Sequence, residues 1–205
     1  MIKMHGISIG YGHTPVLNDF SLHMKPGEAV CLSGPSGSGK SSLLHLAADL
    51  IKPAKGTCHV ATDKIGYAFQ EPPLLPWMTI RENLLFIAGR GDMVHAGEIP
   101  LGWLEKMGLG EAAGCMPAEL SGGMKKRAGI ACALAAQADL ILLDEPFAGL
   151  DPAWQTRVAA CVMDHVTSLG LTLLMVSHQL EPLDGFGLRT VSVPEAKEPL
   201  MRHAV

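Results

Sequence analysis

Four short segments carry the residue types that phosphate chemistry needs. Gly34-Pro35-Ser36-Gly37-Ser38-Gly39-Lys40-Ser41 fits the pattern G-x-x-x-x-G-K-[ST] at every fixed position. Glycines let backbone N–H groups turn inward and approach phosphate oxygens with no Cβ in the way. The helix expected from Ser41 onward aims its N-terminus at the same anion. Lys40 has the reach for β- and γ-phosphates, and Ser41 offers a hydroxyl oxygen to Mg²⁺. Ser42 extends the nucleotide-contacting set.

The second segment, Leu140-Ile141-Leu142-Leu143-Asp144-Glu145-Pro146, is an apolar strand ending in two carboxylates. At the C-terminal edge of a parallel sheet both acids fall beside the phosphate loop. Asp144 suits the Mg²⁺ shell. Glu145 suits a general base that orients or deprotonates a water. The third and fourth are single residues at strand exits. His178 follows Leu171–Val176 and is placed to touch a γ-phosphate or the attacking water. Gln70 follows Lys64–Phe69, and its amide is placed to sense Mg²⁺ or that water.

These groups need a scaffold that brings strand ends to one edge. Residues 1–33 read as short strands broken by turns, with Glu28–Ser33 a buried strand. Apolar residues at 43, 44, 46, 47, 50 and 51 predict a helix over Ser41–Ile51. Residues 71–77 (EPPLLPW) form a proline-rich loop, residues 79–117 a small helical lobe, and residues 121–136 another helix. The continuous apolar runs Leu140–Leu143 and Leu171–Val176 suit parallel strands buried on both faces. Strands alternating with helices imply an α/β fold with right-handed crossovers.

Composition narrows the class. A chain of 205 residues is the size of one domain with a core, and 48% hydrophobic residues exclude wholesale disorder. A net charge of −4 argues against a dedicated nucleic-acid binder. No run of eighteen apolar residues exists to span a bilayer, and the N-terminus lacks a secretory h-region, which together imply a cytosolic chain. A mean hydropathy of +0.24 is high for such a chain and implies a partner. The five cysteines form no C-x-x-C pair and read as reduced, buried thiols; the nine histidines show no metal-ligand spacing.

Glu119-Leu120-Ser121-Gly122-Gly123-Met124-Lys125-Lys126-Arg127 resembles the signature motif of ATP-binding cassette (ABC) ATPases. The order of Tyr11, the phosphate loop, Gln70, this signature, Asp144-Glu145, Ala148-Gly149-Leu150-Asp151 and His178 is similar to that family over residues 2 to 180. Phe69-Gln70-Glu71-Pro72, Leu74-Leu75-Pro76-Trp77 and Met124 resemble the subgroup serving nitrate, sulfonate and taurine importers. The resemblance implies a P-loop NTPase with a mostly parallel core sheet, a small antiparallel β-subdomain and an inserted helical subdomain. Residues 1–205 would then be a single cassette, with 1–73 and 118–205 as ATP-binding core and 74–117 as helical subdomain. Two copies would pack head to tail, with the loop of one facing Ser121, Gly122 and Gly123 of the other across ATP and Mg²⁺. Tyr11 would stack on adenine, and Asp151 would organise the dimer interface. Lys125, Lys126 and Arg127 would add positive charge near the nucleotide, or else form a solvated helix face.

The resemblance further implies an ATP-hydrolysing importer subunit, peripheral on the cytoplasmic face of the inner membrane. Its partners would be a membrane permease, received by a groove beside Pro72–Trp77, and indirectly a solute-binding protein. The alternatives are a soluble ABC-type ATPase not tied to transport and a nucleotide-binding regulatory subunit. The pattern is broken in three places. Cys132 stands where the signature helix usually has arginine, Gly56–Gln70 is short enough to trim the β-subdomain, and QLEPLDGFGLRT after His178 lacks the usual acidic-Ala-Leu helix pattern.

Overall fold

The computed structural model describes residues 1–11, 14–89 and 98–194, and only the backbone of Tyr11 and of residues 98–101. The chain opens with a long hairpin rather than short strands. Strand β1 (Ile2–Tyr11) pairs antiparallel with β2 (Thr14–Met24), and β4 (Lys55–Val60) adds to the other side of β1 in the order β2-β1-β4. Ile2, Met4, Ile7 and Ile9 are buried against Leu17, Phe20, Leu22 and Met24. The register shifts between Met4 and Ile7, where Gly6 takes a φ of 59°. Such a bulge breaks the alternation of period two without ending the strand, and in sequence it reads as a turn.

The second sheet holds β3 (Ala29–Ser33), β5 (Ile65–Ala68), β6 (Leu140–Asp144), β7 (Thr172–Val176) and β8 (Arg189–Ser192). Its order is β5-β6-β7-β3-β8, and every pairing is parallel. Alternate side chains enter two different cores. Cys31, Ile141, Leu143, Leu173 and Met175 face one. Val30, Leu32, Leu140, Leu142, Leu174 and Val176 face the other. Burial on both faces is why the central runs Leu140–Leu143 of β6 and Leu173–Val176 of β7 are apolar at every position.

Helix α1 (Lys40–Ala47) leaves the glycine loop and packs on the hairpin side of the sheet. It stops four residues short of the expected Ile51, because Asp49 turns the chain at a φ of 57°. Leu50 falls in phase with the apolar period, yet it is 56% exposed. On the opposite face lie α2 (Ile80–Ile87), α3 (Glu98–Lys106), α4 (Gly122–Ala135) and α5 (Pro152–Leu169). Helix α2 starts on a reciprocal cap in which Thr79 and Glu82 bond each other's backbone N–H. Helix α5 has Asp151 as N-cap, Pro152 at its first position and Gly170 in the left-handed conformation at its end, which suits the chemistry of both termini. No helix of the described residues is long and apolar enough to cross a membrane.

Candidate functional site

The C-terminal ends of β3, β5, β6 and β7 open onto one cleft of about 780 Å³. Ser36, Gly37, Gly39, Lys40, Ser41 and Ser42 line it from the glycine loop, with Gln70, Glu145 and His178 from the other strand ends. Gly34, Pro35 and Ser38 of the loop are not in its lining. A Cβ on Gly34 would sit 2.4 Å from the Val193 carbonyl oxygen, so the loop can pass over β8 only as glycine. Gly39 precedes α1 at a φ of 89°, and no side chain caps that helix. The Lys40 ammonium is folded back onto the loop, donating to the carbonyls of Gly34 (3.0 Å) and Pro35 (2.7 Å). Desolvation pulls its pKa down, against the nearby carboxylates of Glu145 and Asp144, which favour the charge.

Asp144 is the last residue of β6 and is buried. Ser41 Oγ donates to its Oδ1 at 3.0 Å. Burial raises the Asp144 pKa, and the Ser41 hydrogen bond, His45, Lys126 and Lys40 oppose that rise. Glu145 turns out of the strand at a φ of 49°, a left-handed conformation that non-glycine residues rarely adopt, pinned by its N–H donating to Val176 O at 2.9 Å. The turn brings its carboxylate to the exit of β7. There Oε2 accepts the His178 N–H at 3.2 Å, and Oε1 lies 3.3 Å from His178 Nε2. The histidine ring is half exposed and the carboxylate nearly buried, so the pair forms one wall of the cleft.

Ser121, Gly122 and Gly123 do not line this cleft. Ser121 is the N-cap of α4, its hydroxyl accepting the Met124 N–H at 3.3 Å, and Ser121 and Gly122 are exposed. The basic run behind them is not a solvated face. Lys125 is half exposed, but Lys126 and Arg127 are both buried. Lys126 Nζ donates to the carbonyl oxygen of Gln70. Arg127 donates to Met107 O and lies 3.8 Å from the centre of the Trp154 ring, which ties the end of α3 to α4 and α5. Sequence reasoning missed both contacts, since their partners lie far away in the chain. Asp151 has a structural task in capping α5 through the Trp154 N–H at 3.1 Å. Tyr11 ends β1 opposite Thr14, and its side chain lies outside the described residues.

A second, apolar groove of about 180 Å³ lies between β5, the proline-rich loop, α2 and α4. Pro72 to Leu75 line it, with Phe86 and Ile87 largely exposed at its rim. Trp77 is 68% exposed but lies outside the lining. Gly129 lets the loop close on α4, since a Cβ there would sit 2.7 Å from Pro72 Cβ. Cys132, in the position discussed for arginine, is buried on the groove floor, and desolvation pushes its thiol up to about 12. It leaves no orphaned polar group. All five cysteines are unpaired.

The donor set fits a nucleoside triphosphate and Mg²⁺. The loop closes on an ammonium, the hydroxyl and carboxylate of Ser41 and Asp144 are hard oxygen donors, and Ser38 Oγ is buried with no partner among the described residues. Among the described residues no group of three or more His, Cys, Asp or Glu side chains is placed to hold a metal ion, and Mg²⁺ commonly keeps waters and phosphate oxygens as ligands.

Sheet, loop and acids define a P-loop NTPase. The family model for ABC transporters matches residues 17–148. The chain is 37% identical over 198 residues to the aliphatic sulfonates import ATP-binding protein SsuB 1 of Pseudomonas aeruginosa, covering 88% of this chain and 77% of that one. It superposes on the dimeric structure of the ABC transporter cassette MJ0796 with a TM-score of 0.85 at 30% identity, over 95% of this chain and 94% of the other. A post-hydrolysis dimer of that cassette bound to ADP and Pi gives a TM-score of 0.84 at 28% identity, over 96% and 97% of the two chains. The chain belongs to the ABC transporter family and is an ABC ATPase.

Proposed function

We propose that this chain is the ATP-hydrolysing subunit of an importer for small anionic solutes of the aliphatic sulfonate kind. The observation that carries the ATPase half is the convergence of Lys40, the Ser41–Asp144 pair and the Glu145–His178 pair on one cleft. The import half rests on the relative, named for aliphatic sulfonate import, and on the apolar groove beside the proline-rich loop. A permease segment would sit in that groove. The cassette would be peripheral on the cytoplasmic face of the membrane, and a solute-binding protein would meet the permease from the other side.

In the cleft, backbone N–H groups of residues 36–39 and the dipole of α1 hold the β- and γ-phosphates, and Lys40 swings from its carbonyl partners onto them. Ser41, Asp144 and the Gln70 amide would hold Mg²⁺, which would supply positive charge to offset that building on the phosphate oxygens. Glu145 orients the attacking water and takes its proton, and His178 fixes the carboxylate and contacts the γ-phosphate. Ser121, Gly122 and Gly123 of a second copy close the site from outside, their helix N-terminus aimed at the γ-phosphate. Residues 1–73 and 118–205 act as the binding core, and 74–117 as the lobe that carries the partner contact.

The test uses the tagged chain, isolated from detergent-solubilised native membranes and then reconstituted in liposomes with whatever copurifies. A polytopic membrane protein is expected, with Mg-ATP-dependent uptake of an alkanesulfonate that Glu145→Gln stops. A chain that hydrolyses ATP but copurifies with no membrane protein contradicts the transport half. Intact turnover in Glu145→Gln contradicts the site.

A further inference from the structure

Lys126 is a buried cation that the phosphate chemistry above does not use. It lies five residues beyond Ser121, on the same helix, with its side chain 8% exposed. Its ammonium donates to the backbone carbonyl of Gln70, across 56 residues of chain. The carboxylates of Asp144, Glu145 and Glu71 favour its charge and offset part of the desolvation that opposes it. The contact therefore joins two parts of the site with separate ligands. Ser121–Gly123 begin the helix that carries Lys126, and Gln70 lines the cleft of its own chain.

We infer that Lys126 is a positioning residue: by holding the Gln70 carbonyl it sets where the Gln70 amide sits relative to Mg²⁺ and the attacking water. The inference rests on the reading of Gln70 given above. Its consequence is that a displacement of α4, as when Ser121–Gly123 engage a partner's nucleotide, is carried to Gln70 through one hydrogen bond. Buried charges with a satisfied partner transmit such shifts because losing the partner is costly.

The test is a double-mutant cycle between Lys126→Met and Gln70→Ala, with two readouts: kcat, and the factor by which Mg²⁺ tightens ATP binding relative to EDTA. Lys126→Met is expected to lower kcat by about tenfold and to shrink the Mg²⁺ factor, with ATP affinity in EDTA unchanged. In the Gln70→Ala background it should change neither by more than about twofold, since the amide it positions is gone. Lys126→Arg keeps donor and charge and should restore both readouts. Lys126→Gln keeps a donor without a buried charge and serves if the methionine variant does not fold. Additive losses in the cycle, or a Lys126→Met chain equal to wild type, overturn the inference. Turnover that survives Glu145→Gln would instead overturn the site reading, and the Mg²⁺ factor still decides Lys126.

Discussion

Helices α1 and α4 each begin on a short run of glycine and serine, and they begin differently. At α1 the residue before the helix is a left-handed glycine, no side chain caps the end, and Lys40 and Ser42 are buried behind it. At α4 Ser121 caps its own helix, and Ser121 and Gly122 stand exposed, outside the lining of the glycine-loop cleft. An uncapped helix start at the mouth of a cleft leaves its dipole for a ligand held within the same chain. A capped and exposed start of small residues presents a flat surface whose ligand must arrive from outside. On the proposed function, one chain would hold one complete phosphate cradle and one half-site for another molecule's nucleotide.

Variants at the two helix starts should therefore fail differently. Lys40→Ala empties the complete cradle: ATP binding falls below detection in calorimetry, and kcat/KM falls by at least about 10³-fold. Glu145→Gln leaves the cradle intact, so ATP still binds while turnover falls by about 10²- to 10³-fold in a phosphate-release assay. Gly122→Asp attacks the other start. A Cβ there meets nothing within 4 Å, and an acid at a helix N-terminus stabilises the helix, so the fold is kept. Its carboxylate would repel a partner's γ-phosphate, and turnover should fall by about 10²-fold with ATP affinity of the monomer unchanged. The smallest effect is on stability. Ser121→Ala removes the cap of α4 and should cost about 1 kcal/mol in urea melts, while Ser36→Ala caps nothing and should stay within about 0.5 kcal/mol.

The complete cradle was readable because its signals are local. The glycine pattern, the apolar runs of β6 and β7 and the acids at the end of β6 each lie within a few residues, and parallel strands alone put their exits on one edge. The contacts made by α4 were not. Lys125-Lys126-Arg127 looks like a charged helix face, and only the packed lobe shows that Lys126 and Arg127 are buried, on Gln70 and on Met107 and Trp154. The Glu145–His178 pair likewise needs two strand exits and a left-handed turn at Glu145. The long hairpin was hidden by the bulge at Gly6, and the early end of α1 by Leu50 falling in phase with the helix.

The measurement that bears most directly on the division into a cradle and a half-site is light scattering of the Glu145→Gln protein with and without Mg-ATP. Hydrolysis is blocked, so a nucleotide shared between two chains should hold them together. The account predicts a monomer near 21.7 kDa without nucleotide and twice that mass with it, and no doubling when Gly122→Asp is added. A protein that binds ATP tightly and remains monomeric would contradict it.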